Sequence, residues 1–245
     1  MATFTQNTSG NGGFIQGDAT DENINVSTLA PAATSADSVD ILANAGNDTI
    51  TGHDGHNFID AGDGNDVVNA AGGDDFIRAS AGDDTVDGGA GDDVVEFLLD
   101  SVSSGTLTQE VDTNGHLLIK LDGTTVFTVT SAGGGSFLVT GATGTAGEVL
   151  GTESISGVEH LQFRTGGGSS AFVNLSTNVF HDPNGNGGWV GGSIMDDTIN
   201  LATEFPNIVA STDGSWVQGA GTDPGAGNDT VTGTAGSDFI QASAG

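Results

Sequence analysis

From Ala43 to Glu96 the chain repeats itself every nine residues, as ANAGNDTIT, GHDGHNFID, AGDGNDVVN, AAGGDDFIR, ASAGDDTVD and GGAGDDVVE. Position 1 is always Ala or Gly, and position 4 is always Gly. Position 6 is Asp in every unit but one, where Asn57 replaces it. Position 8 is always β-branched: Ile50, Ile59, Val68, Ile77, Val86 and Val95. A disordered acidic tail has no reason to keep such a period. A fixed short period is instead the mark of a stacked repeat architecture.

Each unit has two halves. Positions 1 to 6 suit a tight turn, because glycine accepts positive φ and close backbone approach. Positions 7 to 9, such as Thr85-Val86-Asp87, suit a short strand with its middle side chain inward. Two turns and two strands make an 18-residue coil with two opposed parallel sheets, and successive coils stack about 4.8 Å apart. Ile50, Val68 and Val86 then fall on one sheet, and Ile59, Ile77 and Val95 face them from the other. Asp83 at position 5 and Asp87 at position 9 point outward as solubilising groups. Phe58, Phe76 and Phe239, at position 7, lie beside the inward residue and cover the outer face. The fold class is all-β, and no segment has the pattern of a long helix.

The nine-residue spacing extends beyond this block, through Ile15 and Ile24, then Val190, Ile199, Ile208 and Val217, and finally Val231 and Ile240. A longer repeat overlies it. Asn11–Pro31 aligns without gaps to Asn186–Pro206, and Gly46–Ala61 aligns to Gly227–Ala242. The second alignment has a larger offset than the first, so one copy carries a short indel between them. Between the copies, Thr106–Thr130 shows short β-prone runs separated by Asn-Gly and Asp-Gly, which are hairpin signals. Ile155–Phe163 is a further strand candidate. Three regions result: residues 1–97 with the repeat core at 43–96, a β-rich hairpin segment at 98–180, and a second repeat region at 181–245. The last region reads as the opening of a second module, completed by further chain or by a neighbouring subunit.

Stacking aligns the position-6 acids into two columns, Asp48, Asp66 and Asp84 on one edge and Asn57, Asp75 and Asp93 on the other. Like charges at the coil spacing repel by about 1 kcal/mol in water, and more where solvent is excluded. The whole chain compounds the problem: its net charge is −30, with Arg78, Lys120 and Arg164 as its basic residues. A hard divalent cation between rungs reverses the sign. Calcium takes six to eight oxygen ligands from carboxylates and carbonyls in flexible geometry, whereas magnesium demands a stricter octahedron. Zinc would need His and Cys, and the chain has no Cys. The His53–His56 pair lies in a turn without further such partners and reads as turn filler.

These units resemble the RTX (repeats-in-toxin) family of nonapeptide calcium-binding repeats. The resemblance covers Ala43–Glu96 and returns at Gly227–Ala244. It implies a right-handed parallel β-roll, a β-solenoid of stacked nonapeptide coils, followed by an antiparallel β-rich segment such as that containing GHLLIKLDGTTVFTVT. It also implies several Ca²⁺ ions, each shared by position-6 side chains two units apart. Carried over, these are Asp48 with Asp66, Asp66 with Asp84, Asn57 with Asp75, and Asp75 with Asp93. Turn carbonyls of Gly46, Gly64, Gly73, Gly82 and Gly91 complete the sites. Asn57 removes a charge, so its site is expected to be weaker. Position 2 is Gly only at Gly62 and Gly89, so Asn44, His53, Ala71 and Ser80 must accept the backbone angles of the turn. Asp229 and Asp238 are the corresponding candidates in the second region, where the sites need turns beyond Gly245.

The acidic balance argues against nucleic acid and anionic membrane surfaces as partners. No apolar run is long enough for a membrane-spanning helix. The first residues lack the charged and apolar regions of a standard secretory signal peptide. No HExxH, GxSxG or cysteine-nucleophile signature appears, so no enzyme is expected. The sequence thus supports a secreted calcium-binding structural protein. Its modules self-associate head-to-tail into a surface layer, sheath or filament. The alternative is a calcium-dependent carrier or folding module of a type I-secreted enzyme, toxin or adhesin.

Overall fold

The nine-residue period becomes a pair of short strands per coil. In the computed structural model, the described residues are 3–6, 12–31, 33–34, 36–114, 116–175, 178–181, 188–191, 198–200, 221–223, 230–232 and 239–240. They form an almost wholly β protein in two units, one of Met1–Asp112 with His116–Phe172 and the other of Thr113–Gly115 with Val173–Gly245.

The first unit begins with β1 (Thr3–Gln6), β2 (Gly12–Gln16), β3 (Asn23–Asn25) and β4 (Ser38–Leu42). The repeat block supplies β5 (Thr49–His53), β6 (Asn57–Asp60), β7 (Val67–Ala71), β8 (Phe76–Ala79), β9 (Thr85–Asp87) and β10 (Val94–Leu99). Alternate strands pair in parallel, one coil to the next: Ile50 with Val68 and Val68 with Val86 in one sheet, Ile59 with Ile77 and Ile77 with Val95 in the other. All six of these side chains are buried to 1% exposure or less. Side chains alternate in and out along each strand, so position 8 fills the core and positions 7 and 9 lie on the outer side, where Glu96, held by Arg78 and Arg164, is nonetheless fully buried. Phe58 and Phe76 stack at 5.6 Å between ring centroids on one outer face, and Arg78 lies over Phe58.

After β10 come β11 (Leu107–Val111), β12 (Leu117–Leu121), β13 (Thr124–Gly133), β14 (Ser136–Gly141), β15 (Thr152–Ser156), β16 (His160–Thr165) and β17 (Ser170–Asn174). Strands β11 to β15 form an antiparallel run. The run does not stand apart from the repeats. β15 pairs in parallel with β9, and β16 pairs in parallel with β10, so both repeat sheets continue into this segment. The resulting sheets have the orders β1-β2-β4-β6-β8-β10-β16-β17 and β11-β12-β13-β14-β15-β9-β7-β5-β3. Phe97, where the nine-residue pattern stops, packs on Phe163 and Phe127, all three fully buried. Three large rings replace the small β-branched core of the coils there and close it with a wider apolar cluster.

The second unit contains β18 (Asn178–His181), β19 (Gly188–Gly191), β20 (Thr198–Asn200), β21 (Gly221–Asp223), β22 (Thr230–Thr232) and β23 (Phe239–Ile240). Its sheet orders are β18-β19-β21-β23 and β20-β22, the same pattern as β1-β2-β4-β6 and β3-β5 in the first unit. Thr3 pairs with Gln16, and Asn178 pairs with Gly191, the residue aligned with Gln16, so the opening register is shared. The next pairing locates the indel. Phe14 pairs with Asp40, whereas Trp189, the residue aligned with Phe14, pairs with Gly221. The second copy thus has more chain between these two strands, and the extra residues lie between β19 and β21.

Candidate metal centre

Position 6 occupies the inner corner of each turn, just before the strand. There Asp48, Asp66, Asp75, Asp84, Asp93 and Asn57 are all at most 3% exposed. Each aspartate reaches back to the coil before it. The backbone N–H of Asp48 donates to Oδ1 of Asp66 at 2.7 Å, and that of Asp66 donates to Oδ1 of Asp84 at 2.8 Å. On the other edge the N–H of Asn57 donates to Oδ1 of Asp75 at 2.7 Å, and that of Asp75 to Oδ1 of Asp93 at 2.8 Å. The two columns expected from the repeat are therefore present, with neighbours 18 residues apart. One carboxylate oxygen per residue is engaged in this way. The other, Oδ2, is buried without a hydrogen-bond partner in Asp48, Asp66, Asp75, Asp84 and Asp93.

Position 5 does more than the solubilising expected of it: it forms a second ladder of opposite direction. The N–H of Asn65 donates to Oδ1 of Asn47, that of Asp83 to Oδ1 of Asn65, and that of Asp92 to Oδ1 of Asp74. His56 takes the same place, its Nδ1 accepting from the N–H of Asp74 at 3.1 Å. These side chains are exposed, as expected for outward groups. Position 5 thus staples each turn to the following coil, and position 6 staples it to the preceding one.

Glycine at position 4 makes this stacking possible. At Gly64 a Cβ would fall 1.8 Å from the carbonyl oxygen of Gly46, and at Gly82 and Gly91 it would fall 2.0 Å from those of Gly64 and Gly73. At position 2, Asn44 and Ala71 adopt φ of 80° and 82°, matching Gly62 and Gly89. His53 and Ser80 do not adopt positive φ, contrary to expectation, so their turns take another course.

The turn GHDGHN differs further. The amide nitrogen of Asn57 donates to the carbonyl of Gly55 at 2.7 Å, to Oδ1 of Asp75 at 2.9 Å, and at longer range to the carbonyls of His53 and Ala70. Its Oδ1 lies 2.7 Å from Nδ1 of His53. A weaker ion site was expected between Asn57 and Asp75. In the structure the N–H₂ group of Asn57 lies among the turn carbonyls and the Asp75 carboxylate.

Two acids downstream of the repeat block extend the columns. The N–H of Asp84 donates to Oε2 of Glu153 at 2.7 Å, and that of Asp93 to Oε2 of Glu159 at 3.0 Å. They come from the antiparallel segment, 69 and 66 residues downstream, where no nine-residue period advertises them. The available signal was the short pattern Gly-x-Glu-x-Ile/Leu at Gly151–Ile155 and Gly157–Leu161.

Burial dominates the electrostatics. Desolvation, only partly offset by the backbone N–H donors, pushes Asp66 and Asp93 up to about 7 and Asp75 and Asp84 up to about 6. Asp48 is raised for the same reason, and Glu153 rises to about 9. The three basic residues do not relieve the columns. Arg78 binds Asp60 and Glu96, Arg164 binds the other oxygen of Glu96, and Lys120 binds Glu110. Among the described residues no three His, Cys, Asp or Glu side chains converge as a metal-binding cluster, so side chains alone do not enclose an ion. The donor set is instead paired carboxylate oxygens beside stacked turn carbonyls, all hard oxygen, which fits calcium.

Paired carboxylate columns on stacked glycine turns define a repeat protein that takes up hard divalent cations. Its repeats are RTX calcium-binding nonapeptide repeats: the model of four such repeats matches residues 40–68, 69–97 and 223–245. Repeats of this kind bind several Ca²⁺ ions, and the proteins that carry them are generally secreted. No curated protein matches the chain. Among solved structures, the extracellular lipase LipA from Serratia marcescens is similar over 94% of this chain and 30% of the lipase, at 15% identity and a TM-score of 0.25. The chain thus spans less than a third of that lipase, and so low a TM-score bears on neither fold nor activity. Asp229 and Asp238 lie outside the described residues. No helix among the described residues is long and apolar enough to cross a membrane.

Proposed function

We propose that this protein is an extracellular structural protein whose modules are right-handed parallel β-rolls made rigid by calcium and joined head-to-tail in a layer, sheath or filament. The observation that carries the calcium part is the pair of columns of buried, unpartnered Oδ2 atoms. Asp48 with Asp66, Asp66 with Asp84, and Asp75 with Asp93 would hold ions, together with carbonyls of Gly46, Gly64, Gly73, Gly82 and Gly91. Calcium supplies the positive charge that turns inter-coil repulsion into attraction. The residues themselves fix the spacing, through the backbone N–H that holds each Oδ1 in place.

The assembly part is supported by the duplicated module. The downstream end of the repeat stack is covered by β15 and β16, but β3 is an edge strand at the upstream end, and such edges add further copies readily. A heterologous contact of this kind does not close on itself and propagates. Acidic charge keeps free chains apart until calcium neutralises it.

The test is circular dichroism, size analysis and electron microscopy of the full chain in excess chelator and in millimolar calcium. Gain of β signal with calcium, followed by concentration-dependent layers or filaments, is the expected result. An unchanged spectrum removes the calcium reading. Calcium-dependent folding with monomers at every concentration removes the assembly reading and leaves a calcium-dependent carrier module of a longer secreted protein.

A further inference from the structure

The end of the repeat block should leave Asp84 without an outer partner, since the chain departs at Phe97 into another kind of structure. The antiparallel segment returns to fill that place. Gly151-Thr152-Glu153-Ser154-Ile155 lies in register with Gly82-Asp83-Asp84-Thr85-Val86: Ser154 pairs with Thr85, and Ile155 pairs with Val86. Every element of a repeat rung recurs. Gly151 has φ of 71°, and a Cβ on it would fall 1.9 Å from the carbonyl oxygen of Gly82, continuing the Gly46–Gly64–Gly82 column. The N–H of Thr152 donates to Oδ1 of Asp83 at 2.9 Å, continuing the position-5 ladder. The N–H of Asp84 donates to Oε2 of Glu153, continuing the position-6 ladder.

Glu153 is 1% exposed, and its Oε1 has no hydrogen-bond partner. Oδ2 of Asp84, at the same rung, has none either. A buried carboxylate with one oxygen bound and one bare is an unfavourable arrangement unless a proton or a cation completes it. The other edge differs. Glu159 is only partly buried, and a Cβ on Gly157 would meet Asp87 and Gly89 instead of a carbonyl of the Gly73–Gly91 column.

We propose that Asp84 and Glu153 form a further calcium site, and that this ion locks the antiparallel segment onto the end of the repeat stack. The site rests on the calcium reading given above. It differs from the repeat sites in its consequence. Those join one coil to the next, whereas this one joins two structures of different topology, so its occupancy decides whether β14 and β15 are held.

The test uses the full chain and Glu153→Gln, which keeps the side chain's shape and removes its charge. Calorimetric calcium titration counts the ions, and hydrogen exchange with and without calcium reads β14–β15 separately from β5 and β7. The variant is expected to bind one ion fewer and to lose calcium-dependent protection in β14–β15, with β5 and β7 still protected. An unchanged ion count with unchanged protection overturns this site and leaves the repeat sites intact. No calcium uptake by either protein overturns the calcium reading and this site together. Should Glu153→Gln not fold, Glu153→Asp tests the same point by shortening the reach: one ion should weaken several-fold, and unaltered affinity at all sites overturns the inference.

Discussion

Asn57 and Asp75 are joined twice through one oxygen: the backbone N–H and the side-chain amide of Asn57 both donate to Oδ1 of Asp75, at 2.7 and 2.9 Å. The rung is bridged by a neutral donor group. The aligned position in the second copy is Asp238, so the two copies differ in residue type at this position of the sequence. Asn57→Asp should therefore open a place for one more ion. Calorimetric titration should count one additional calcium per chain. In chelator the same variant should lose about 3 kcal/mol or more, because a buried carboxylate would face Asp75 without compensation. An unaltered ion count would show that the amide does not occupy a cation's place.

Asp66 stands in the middle of its column, where its carboxylate receives the N–H of Asp48 and its own N–H reaches Asp84. Asp66→Ala leaves a buried N–H unsatisfied, which costs about 1–3 kcal/mol even without metal. In calcium it should also remove the two ions that Asp66 shares. Asp87→Ala, at an exposed position 9, should leave both ion count and melting temperature nearly unchanged. Equal effects of the two substitutions on calcium binding would contradict the assignment of position 6.

The acidic columns also fix the direction of the pH response. Asp66 and Asp93 have folded-state values near 7 against 3.8 for an ordinary aspartate, and Asp75 and Asp84 are near 6. The folded chain therefore holds more protons than the unfolded chain between about pH 4 and 7. Their contribution to stability is fully present below about pH 4 and is lost as pH rises through 6 and 7. In chelator the melting temperature should fall from pH 5 to pH 8. Calcium must displace these protons, so its affinity should rise over the same interval, with proton release measurable in buffers of different ionisation enthalpy. A chelated protein that gains stability toward pH 8 would contradict this account.

Gly64 separates two kinds of glycine requirement. A methyl group there would sit 1.8 Å from the Gly46 carbonyl, on a backbone with φ of 141°. Gly64→Ala should cost about 3 kcal/mol or more from clash and strain together. Gly123 also has positive φ, 82°, but nothing lies within 4 Å of a Cβ there. Gly123→Ala should cost only about 1 kcal/mol, the left-handed backbone term alone. Thermal unfolding in calcium distinguishes the two, and similar losses at both positions would show that coil contact at Gly64 is not tight.

What the sequence determined by itself was everything set by its period. Nine residues with one inward β-branched position dictate which side chains share a core, and Ile50, Val68 and Val86 pair as the spacing required. The same period places the position-6 carboxylates in columns, and the duplicated module reappears as two sets of strands that share their sheet order and opening register. What the tertiary structure alone decided lies where chain distance and spatial distance part company. Glu153 stands beside Asp84 from 69 residues away, through an antiparallel excursion whose return point no local period encodes. The role of Asn57 is equally invisible in one dimension. Asparagine reads as a weaker aspartate until its amide is seen among the carbonyls of His53, Gly55 and Ala70. Local periodicity fixes contacts between neighbours in a stack, whereas the ends of the stack and its exceptions depend on groups that only the folded backbone brings within hydrogen-bonding reach.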